Sequence, residues 1–220
     1  KMGANISGAG TSEIIVEGVD KLNPTDHEII GDRIAAGTFL AAILSTKGSG
    51  IVNGINPEHL PMELKKFGEM GAIIDSTETS INIEYRDNLQ SIELSTLPFP
   101  GIATDLQPIF GSALLLAEGT SILTENVYDQ RFQWIPEVQR MGANIQTGWQ
   151  HAMIKGVKTL SGAPVHATDI RTGASLVIAA LQADGLSTIT GIDHINRGYE
   201  DIVASLTSLG STIEYNDKHG

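Results

Sequence analysis

Three stretches of this chain are apolar almost all the way round a helical wheel. They span 34–44, 108–117 and 174–183. Each predicts an α-helix buried on every side, since a surface helix keeps one polar face. Two other segments, 63–70 and 136–141, mix apolar and polar positions and predict helices nearer the surface. Short β-rich runs follow the apolar helices at 50–52, 121–124 and 187–190, and others precede the first helix at 13–18 and 27–31. An aspartate opens each apolar helix (Asp32, Asp105, Asp169), a position that favours it for hydrogen bonding to free backbone N–H groups. A glycine closes each one (Gly48, Gly119, Gly185), where positive φ costs glycine little.

These elements recur in phase. Met-Gly-Ala-Asn-Ile at 2–6 returns as Met-Gly-Ala-Ile-Ile at 70–74, as Met-Gly-Ala-Asn-Ile at 141–145 and, more weakly, as Leu-Gly-Ser-Thr-Ile at 209–213; the intervals are 68, 71 and 68 residues. One unit reads strand, strand, strand, helix, strand, helix. Three such units predict an α/β domain in which three buried helices are wrapped by three small sheets. A doubly wound parallel sheet does not account for the three strands that open each unit. At the ends, Lys1-Met2-Gly3 reads as the tail of a second helix, and 209–215 opens a fourth unit with one strand whose edge is unpaired. Both ends suggest a domain taken from a longer chain.

Composition narrows the partners. The chain is 41% hydrophobic and 18% charged, as a folded protein is. A net charge of −12 argues against a nucleic-acid backbone or an acidic membrane. Cysteine is absent, which excludes disulfides, thiolate metal sites and thiol nucleophiles within these residues. No apolar run approaches the roughly 20 residues of a membrane span, and no signal peptide is seen, so a cytoplasmic location is expected. The histidines lack metal-ligand spacing, and neither metal nor cofactor is expected. Gly-Ala-Gly at 8–10 runs into a strand rather than a helix, so it is a turn and not a dinucleotide loop.

If the three buried helices run parallel, their amino termini meet at one end. Each offers free N–H groups and about half a positive charge, and such a face attracts anions. Polar residues gather there: Asp32-Arg33, Thr104-Asp105-Leu106-Gln107 and Thr168-Asp169-Ile170-Arg171. Of only six arginines, Arg131 and Arg197 are placed at the starts of the second helices of units two and three, and Arg171 stands beside Asp169. The set suggests a site for phosphate or carboxylate. Two plainer readings stay open: the aspartates as simple N-caps, and the arginines as surface salt bridges, the reading given to Arg86 and Arg140.

Several segments, in order along nearly the whole chain, resemble the enolpyruvyl transferases. They are Asp32-Arg33-Ile34 with Gly37-Thr38-Phe39, Pro98-Phe99-Pro100-Gly101, Thr104-Asp105-Leu106-Gln107 and Ala117-Glu118-Gly119-Thr120. The run Glu125-Asn126-Val127-Tyr128-Asp129-Gln130-Arg131-Phe132 follows, then Leu160-Ser161-Gly162-Ala163, Ala167-Thr168-Asp169-Ile170-Arg171 and His194-Ile195-Asn196-Arg197-Gly198-Tyr199-Glu200. The resemblance implies a fold of two domains, each an inside-out α/β barrel of three units. This chain would be the carboxy-terminal half, with 1–22 the last hairpin of the other domain or a linker and 23–220 the domain itself.

The resemblance also implies an activity: transfer of the enolpyruvyl group of phosphoenolpyruvate to the 3-hydroxyl of UDP-N-acetylglucosamine, the first committed step of peptidoglycan synthesis. It implies that Asp105 is the general base, that Asp169 lies near the reacting carbons, and that Arg131, Arg171 and Arg197 surround the phosphoenolpyruvate-derived group. Thr104, Val127 and Tyr128 become neighbours of the UDP-sugar. The acid on a mobile loop and a Lys-Asn pair would belong to the other half, so the piece alone is expected to be inactive. Ile102-Ala103 departs from the family pattern, which has a proline before Thr-Asp; its loss is expected to loosen the approach to Asp105. Two rivals remain, a half of the shikimate-pathway enolpyruvyl transferase and a binding domain without catalysis.

Overall fold

The computed structural model describes residues 1–216. An exposed antiparallel hairpin comes first, β1 (Asn5–Ser7) and β2 (Ile15–Glu17). Then follow α1 (Arg33–Ser45), β3 (Ser49–Asn53), α2 (Pro61–Glu69), β4 (Ala72–Ser76) and β5 (Ser80–Tyr85), whose strands make an antiparallel sheet in the order β3-β5-β4. The next stretch holds β6 (Glu93–Ser95), α3 (Gln107–Ala113), β7 (Thr120–Thr124), α4 (Ile135–Arg140), β8 (Asn144–Gly148) and β9 (His151–Lys155). Its sheet runs β6-β7-β9-β8, with only β6 and β7 parallel. Last come β10 (Leu160–Ser161), β11 (Pro164–His166), α5 (Ile170–Leu181), β12 (Ala183–Asp184), β13 (Thr188–Thr190), α6 (Ile192–Asn196) and α7 (Ile202–Ser208). Here the strands form two parallel pairs, β10 with β12 and β11 with β13.

The core is built on α1, α3 and α5, which pack against one another. Leu40 and Leu44, Ile109 and Phe110, and Leu176 and Ile178 are fully buried, which is the fate of helices with no polar face. Phe67 of α2 stacks on Phe110, ring centroids 4.5 Å apart, and so docks the outer helix on the inner one. The three inner helices run the same way. At one end, the Arg171 side chain of α5 bonds Asp105, just ahead of α3, and a Cβ on Gly37 of α1 would touch Leu106. At the other, Gln182 beyond α5 donates to the Ser112 carbonyl of α3 at 2.9 Å.

Close approach between elements is possible because glycine faces the neighbour. A Cβ on Gly111 would lie 2.4 Å from two ring carbons of the buried Trp134, and one on Gly173 would lie 2.4 Å from Ile195. The glycines of the recurring pentapeptide share one conformation: Gly3, Gly71, Gly142 and Gly210 have φ of 89, 102, 96 and 94°. A hairpin follows the first three, β1-β2, β4-β5 and β8-β9.

The structure corrects several expectations. Residues 27–31 form no strand, although Ile29 and Ile30 favour one, because no neighbouring strand pairs with them among the described residues. For the same reason 211–216 is not a strand, although Ile213 packs against the core. The third unit has no sheet comparable to the others, only two short parallel pairs. Helix α3 stops at Ala113, where Leu114–Leu116 tighten into turns, so Gly119 (φ 97°) introduces β7 rather than ending the helix. Gly185 (φ 92°) likewise follows β12. After α1 it is Lys47, with φ 60°, that takes the left-handed turn, and not Gly48. The expected domain end at 220 lies outside the described residues.

Gly111→Ala pushes a methyl group into the Trp134 ring, which is wedged in the core and has no room to yield. Urea denaturation of the full-length protein should show a loss of about 1–3 kcal/mol. Gly68→Ala on α2, where a Cβ meets nothing within 4 Å, should instead gain up to about 1 kcal/mol.

Candidate functional site

The amino ends of α1, α3 and α5 converge, and their three aspartates behave differently. Asp32 caps α1, accepting from the Ile34 amide at 2.7 Å. Asp169 caps α5, accepting from the amides of Arg171 (2.8 Å) and Thr172 (3.1 Å) and from the Thr172 hydroxyl (2.6 Å). Asp105 caps nothing. It lies inside a short 3₁₀ turn, Thr104–Leu106, whose first turn is closed by the Ala103 carbonyl and not by a side chain.

Freed from the backbone, the Asp105 carboxylate sits between two guanidinium groups. Arg131 Nη2 donates to Oδ1 at 2.8 Å and Arg171 Nη2 to Oδ2 at 2.9 Å. Arg131 also donates from Nε to the Thr104 hydroxyl at 3.1 Å and lies over the Tyr128 ring, 4.7 Å from its centroid. Arg171 joins both acids, through its amide to Asp169 and its side chain to Asp105. A cleft of about 300 Å³ opens beside them, lined by Tyr128, Arg131, Gln133, Asp169, Arg171 and Thr172. A second cavity, about 280 Å³, lies at the opposite helix ends near Ser45, Lys47 and Glu118. Only the first is lined by the expected residues.

Burial alone would raise the Asp169 carboxyl. The Thr172 hydroxyl, the amides of Thr172 and Arg171 and the Thr168 hydroxyl outweigh that, so its pKa is held below the ordinary value. Tyr199 is buried behind the site, with its phenol 2.7 Å from the Thr38 hydroxyl. Burial raises its pKa, opposed by the Thr38 bond and the Arg171 charge. Burial also raises the carboxyl of Glu63, which lies near the approach to Thr104. The Glu63 amide, the Arg33 charge and the Ala103 amide oppose that rise, although neither carboxylate oxygen accepts a full hydrogen bond among the described residues.

Two expected placements fail. Arg197 does not begin a helix: it follows the end of α6 and is exposed, with Nη2 2.6 Å from His194 Nδ1. It does not join the Asp105 group, although the adjoining Gly198 packs on Ile170 at the start of α5. Gln107 turns away from the helix-end face into the core, where its Oε1 accepts from the Trp134 indole at 3.2 Å. Ala103, where the family pattern has proline, has φ −62°, a value that proline also adopts. Val127 and Tyr128 are exposed on the loop after β7. Sequence reading missed Tyr199, Glu63 and Glu125. Glu125 and Tyr199 stand inside quoted motifs, whereas nothing local marks Glu63.

A family model described as EPSP synthase (3-phosphoshikimate 1-carboxyvinyltransferase) matches residues 1–206. The chain belongs to this family of enolpyruvyl transferases. The UDP-N-acetylglucosamine 1-carboxyvinyltransferase of Thermotoga maritima is 44% identical over 99% of this chain and 52% of its own length. The protein of the same name from Corynebacterium jeikeium is 44% identical over 97% of this chain and 51% of its own. The chain thus spans about half the length of these relatives. The enolpyruvyl transferase NikO from Streptomyces tendae superposes with a TM-score of 0.84 at 26% identity, over 96% of this chain and 51% of that one. An EPSP synthase from Acinetobacter baumannii shares the fold, with a TM-score of 0.76 at 20% identity. Among the described residues, no helix is long and apolar enough to cross a membrane.

A carboxyl whose pKa is lowered on folding stabilises the folded state above its unfolded pKa and loses that contribution as pH falls through the folded value. Asparagine caps a helix about as well as aspartate, so Asp169→Asn isolates the charge. The stability gap between wild type and Asp169→Asn, read by urea denaturation, should be full near neutral pH. It should narrow below about pH 4 and vanish at the acid end.

Proposed function

We propose that the full-length protein transfers the enolpyruvyl group of phosphoenolpyruvate to the 3-hydroxyl of UDP-N-acetylglucosamine, the committed step toward peptidoglycan, in the cytoplasm. The observation that carries this reading is Asp105 held between Arg131 and Arg171 beside an open cleft at the amino ends of buried helices. Relatives carrying the name of that activity, 44% identical over nearly the whole chain, support the choice of sugar substrate. Oxygen of the 3-hydroxyl bonds to C2 of phosphoenolpyruvate as C3 gains a proton, and phosphate then leaves C2 as C3 gives up a proton and the double bond re-forms. In this reading Asp105 accepts the hydroxyl proton, and Arg131 and Arg171 neutralise the phosphate and carboxylate charges. Thr104, Val127 and Tyr128 border the UDP-sugar, and Asp169 faces the reacting carbons. Arg197 stands apart from the Asp105 pair in this chain, and in this reading it would complete the anion site of the full-length enzyme from beside the start of α5.

This chain supplies one of two domains, an inside-out barrel of three units over 23–220. Three parallel inner helices and the shared conformation of Gly3, Gly71, Gly142 and Gly210 support the repeat. Residues 1–22 belong to the other domain in this reading. They are exposed throughout, and the buried core begins only at Ala36.

Asp105→Asn in the full-length enzyme tests the base. Because Asp105 is not a cap, asparagine removes a charge between two arginines rather than a helix stop. The pairs are partly exposed, so stability should change by about 1 kcal/mol or less. UDP-sugar binding should stay within roughly tenfold while kcat falls on the order of 10²–10⁴. Near-normal turnover in a folded variant shifts the role to Asp169. In the same assay shikimate 3-phosphate should not replace the UDP-sugar; if it does, the sugar assignment fails.

Arg131→Ala should raise the KM for phosphoenolpyruvate far more than it lowers stability, since a charge-assisted bond to substrate is worth roughly 1.5–3 kcal/mol. Unchanged kinetics in that variant would remove the arginine from the anion site. The 220-residue chain alone should show no turnover.

A further inference from the structure

Glu125 follows the end of β7 and is buried, yet no part of the proposed reaction uses it. Its Oε1 accepts three hydrogen bonds, from the Thr96 hydroxyl at 2.7 Å and from the amides of Val127 at 2.9 Å and Tyr128 at 3.0 Å. Thr96, fully buried next to β6, completes the tie. Its hydroxyl accepts from the Asn126 amide at 3.0 Å, and its carbonyl accepts from Asn126 Nδ2 at 3.1 Å. The Glu125 amide in turn donates to the Gln150 carbonyl at 2.8 Å, fixing the residue to the β8-β9 turn. Residues 125–128 are thus a loop tied inward, the amides of Val127 and Tyr128 onto one carboxylate oxygen and that of Asn126 onto the Thr96 hydroxyl.

The loop leads directly to the anion site. The Arg131 amide donates to the Tyr128 carbonyl at 3.0 Å, and its guanidinium lies on the Tyr128 ring before reaching Thr104 and Asp105. A displaced Tyr128 therefore displaces the cation. As a space-filler Glu125 would be a poor choice. Its Oε2 is buried without a partner, a cost that an apolar side chain of similar volume avoids. What an apolar side chain cannot do is accept from two loop amides and from the hydroxyl of the buried Thr96.

We propose that Glu125 is a positioning residue of the transferase site: through one carboxylate oxygen it sets the 126–128 loop, and through Tyr128 it sets Arg131, without touching substrate. The proposal rests on the enolpyruvyl transfer reading for its kinetic consequences, but the anchoring of the loop is measurable without it.

The test compares Glu125→Ala and Glu125→Gln in the full-length enzyme, by amide hydrogen exchange over 125–131 and by kinetics with UDP-N-acetylglucosamine and phosphoenolpyruvate. In the alanine variant, exchange at 126–128 should quicken by roughly tenfold or more while distant segments stay unchanged. Its kcat/KM should fall roughly 10²-fold, with KM for both substrates raised, as misplacement by about an ångström can cause. Glutamine keeps an acceptor oxygen at the same reach, so exchange and kcat/KM should stay within roughly tenfold of wild type. A folded alanine variant with wild-type exchange and kinetics overturns the proposal, as does a folded glutamine variant as impaired as alanine. If the alanine variant does not fold, Thr96→Val takes its place, and unchanged exchange and kinetics there overturn the proposal equally. A wild-type enzyme that fails to turn over these substrates while Glu125→Ala still loosens 126–128 leaves the anchoring standing and sinks the transferase reading.

Discussion

Helices without a polar face have one place to go, and this structure is organised by that constraint. α1, α3 and α5 must be covered on all sides, so they pack on one another while sheets and outer helices enclose them. Running parallel, they bring their polar first turns together at one end. The clustering of Asp32, Asp105, Asp169 and Arg171 is thus a by-product of apolar burial and needs no further attraction among the charges. The same packing makes the platform stiff, because the glycine contacts at Trp134 and Ile195 leave no slack between elements.

The chain carries a net charge of −12, yet two arginines face one shared carboxylate where the helices begin. The guanidinium charges of Arg131 and Arg171 there offset the carboxylates of Asp105 and Asp169, so the cleft does not share the acidity of the molecule as a whole. Low-dielectric surroundings and the helix amino ends reinforce that local field, and salt screens the distant acidic surface more strongly than the partly buried arginines. An anion repelled at long range would meet a less acidic surface once inside the cleft.

Much of this was legible in the sequence. Apolar runs located α1, α3 and α5 within a few residues, and the recurring pentapeptide marked four glycines of one conformation. What escaped depends on contacts between distant segments. A cap and a free carboxylate look alike locally, so Asp105 was told apart from Asp32 and Asp169 only by Arg131 and Arg171, 26 and 66 residues away. Residues 27–31 have the composition of a strand but no partner to make them one. Arg197 and Gln107 were placed by helix phase, and short irregular turns rotated both away from the expected face. Tyr199 lies in a family motif that does not mark it as buried, and Glu63 carries no local signal, because burial of a polar side chain is decided by what packs over it.

The double grip on Asp105 has a kinetic corollary. Its two hydrogen-bond donors are the same groups that an incoming phosphate or carboxylate would recruit, so the two anions compete for one pair of guanidinium groups. Each Asp105 oxygen accepts from one guanidinium, and the pair of bonds fixes the orientation of the carboxylate. An arriving anion that draws off one arginine frees one oxygen in the same event. In the proposed transferase, filling the anion site and releasing Asp105 would then be one equilibrium rather than two.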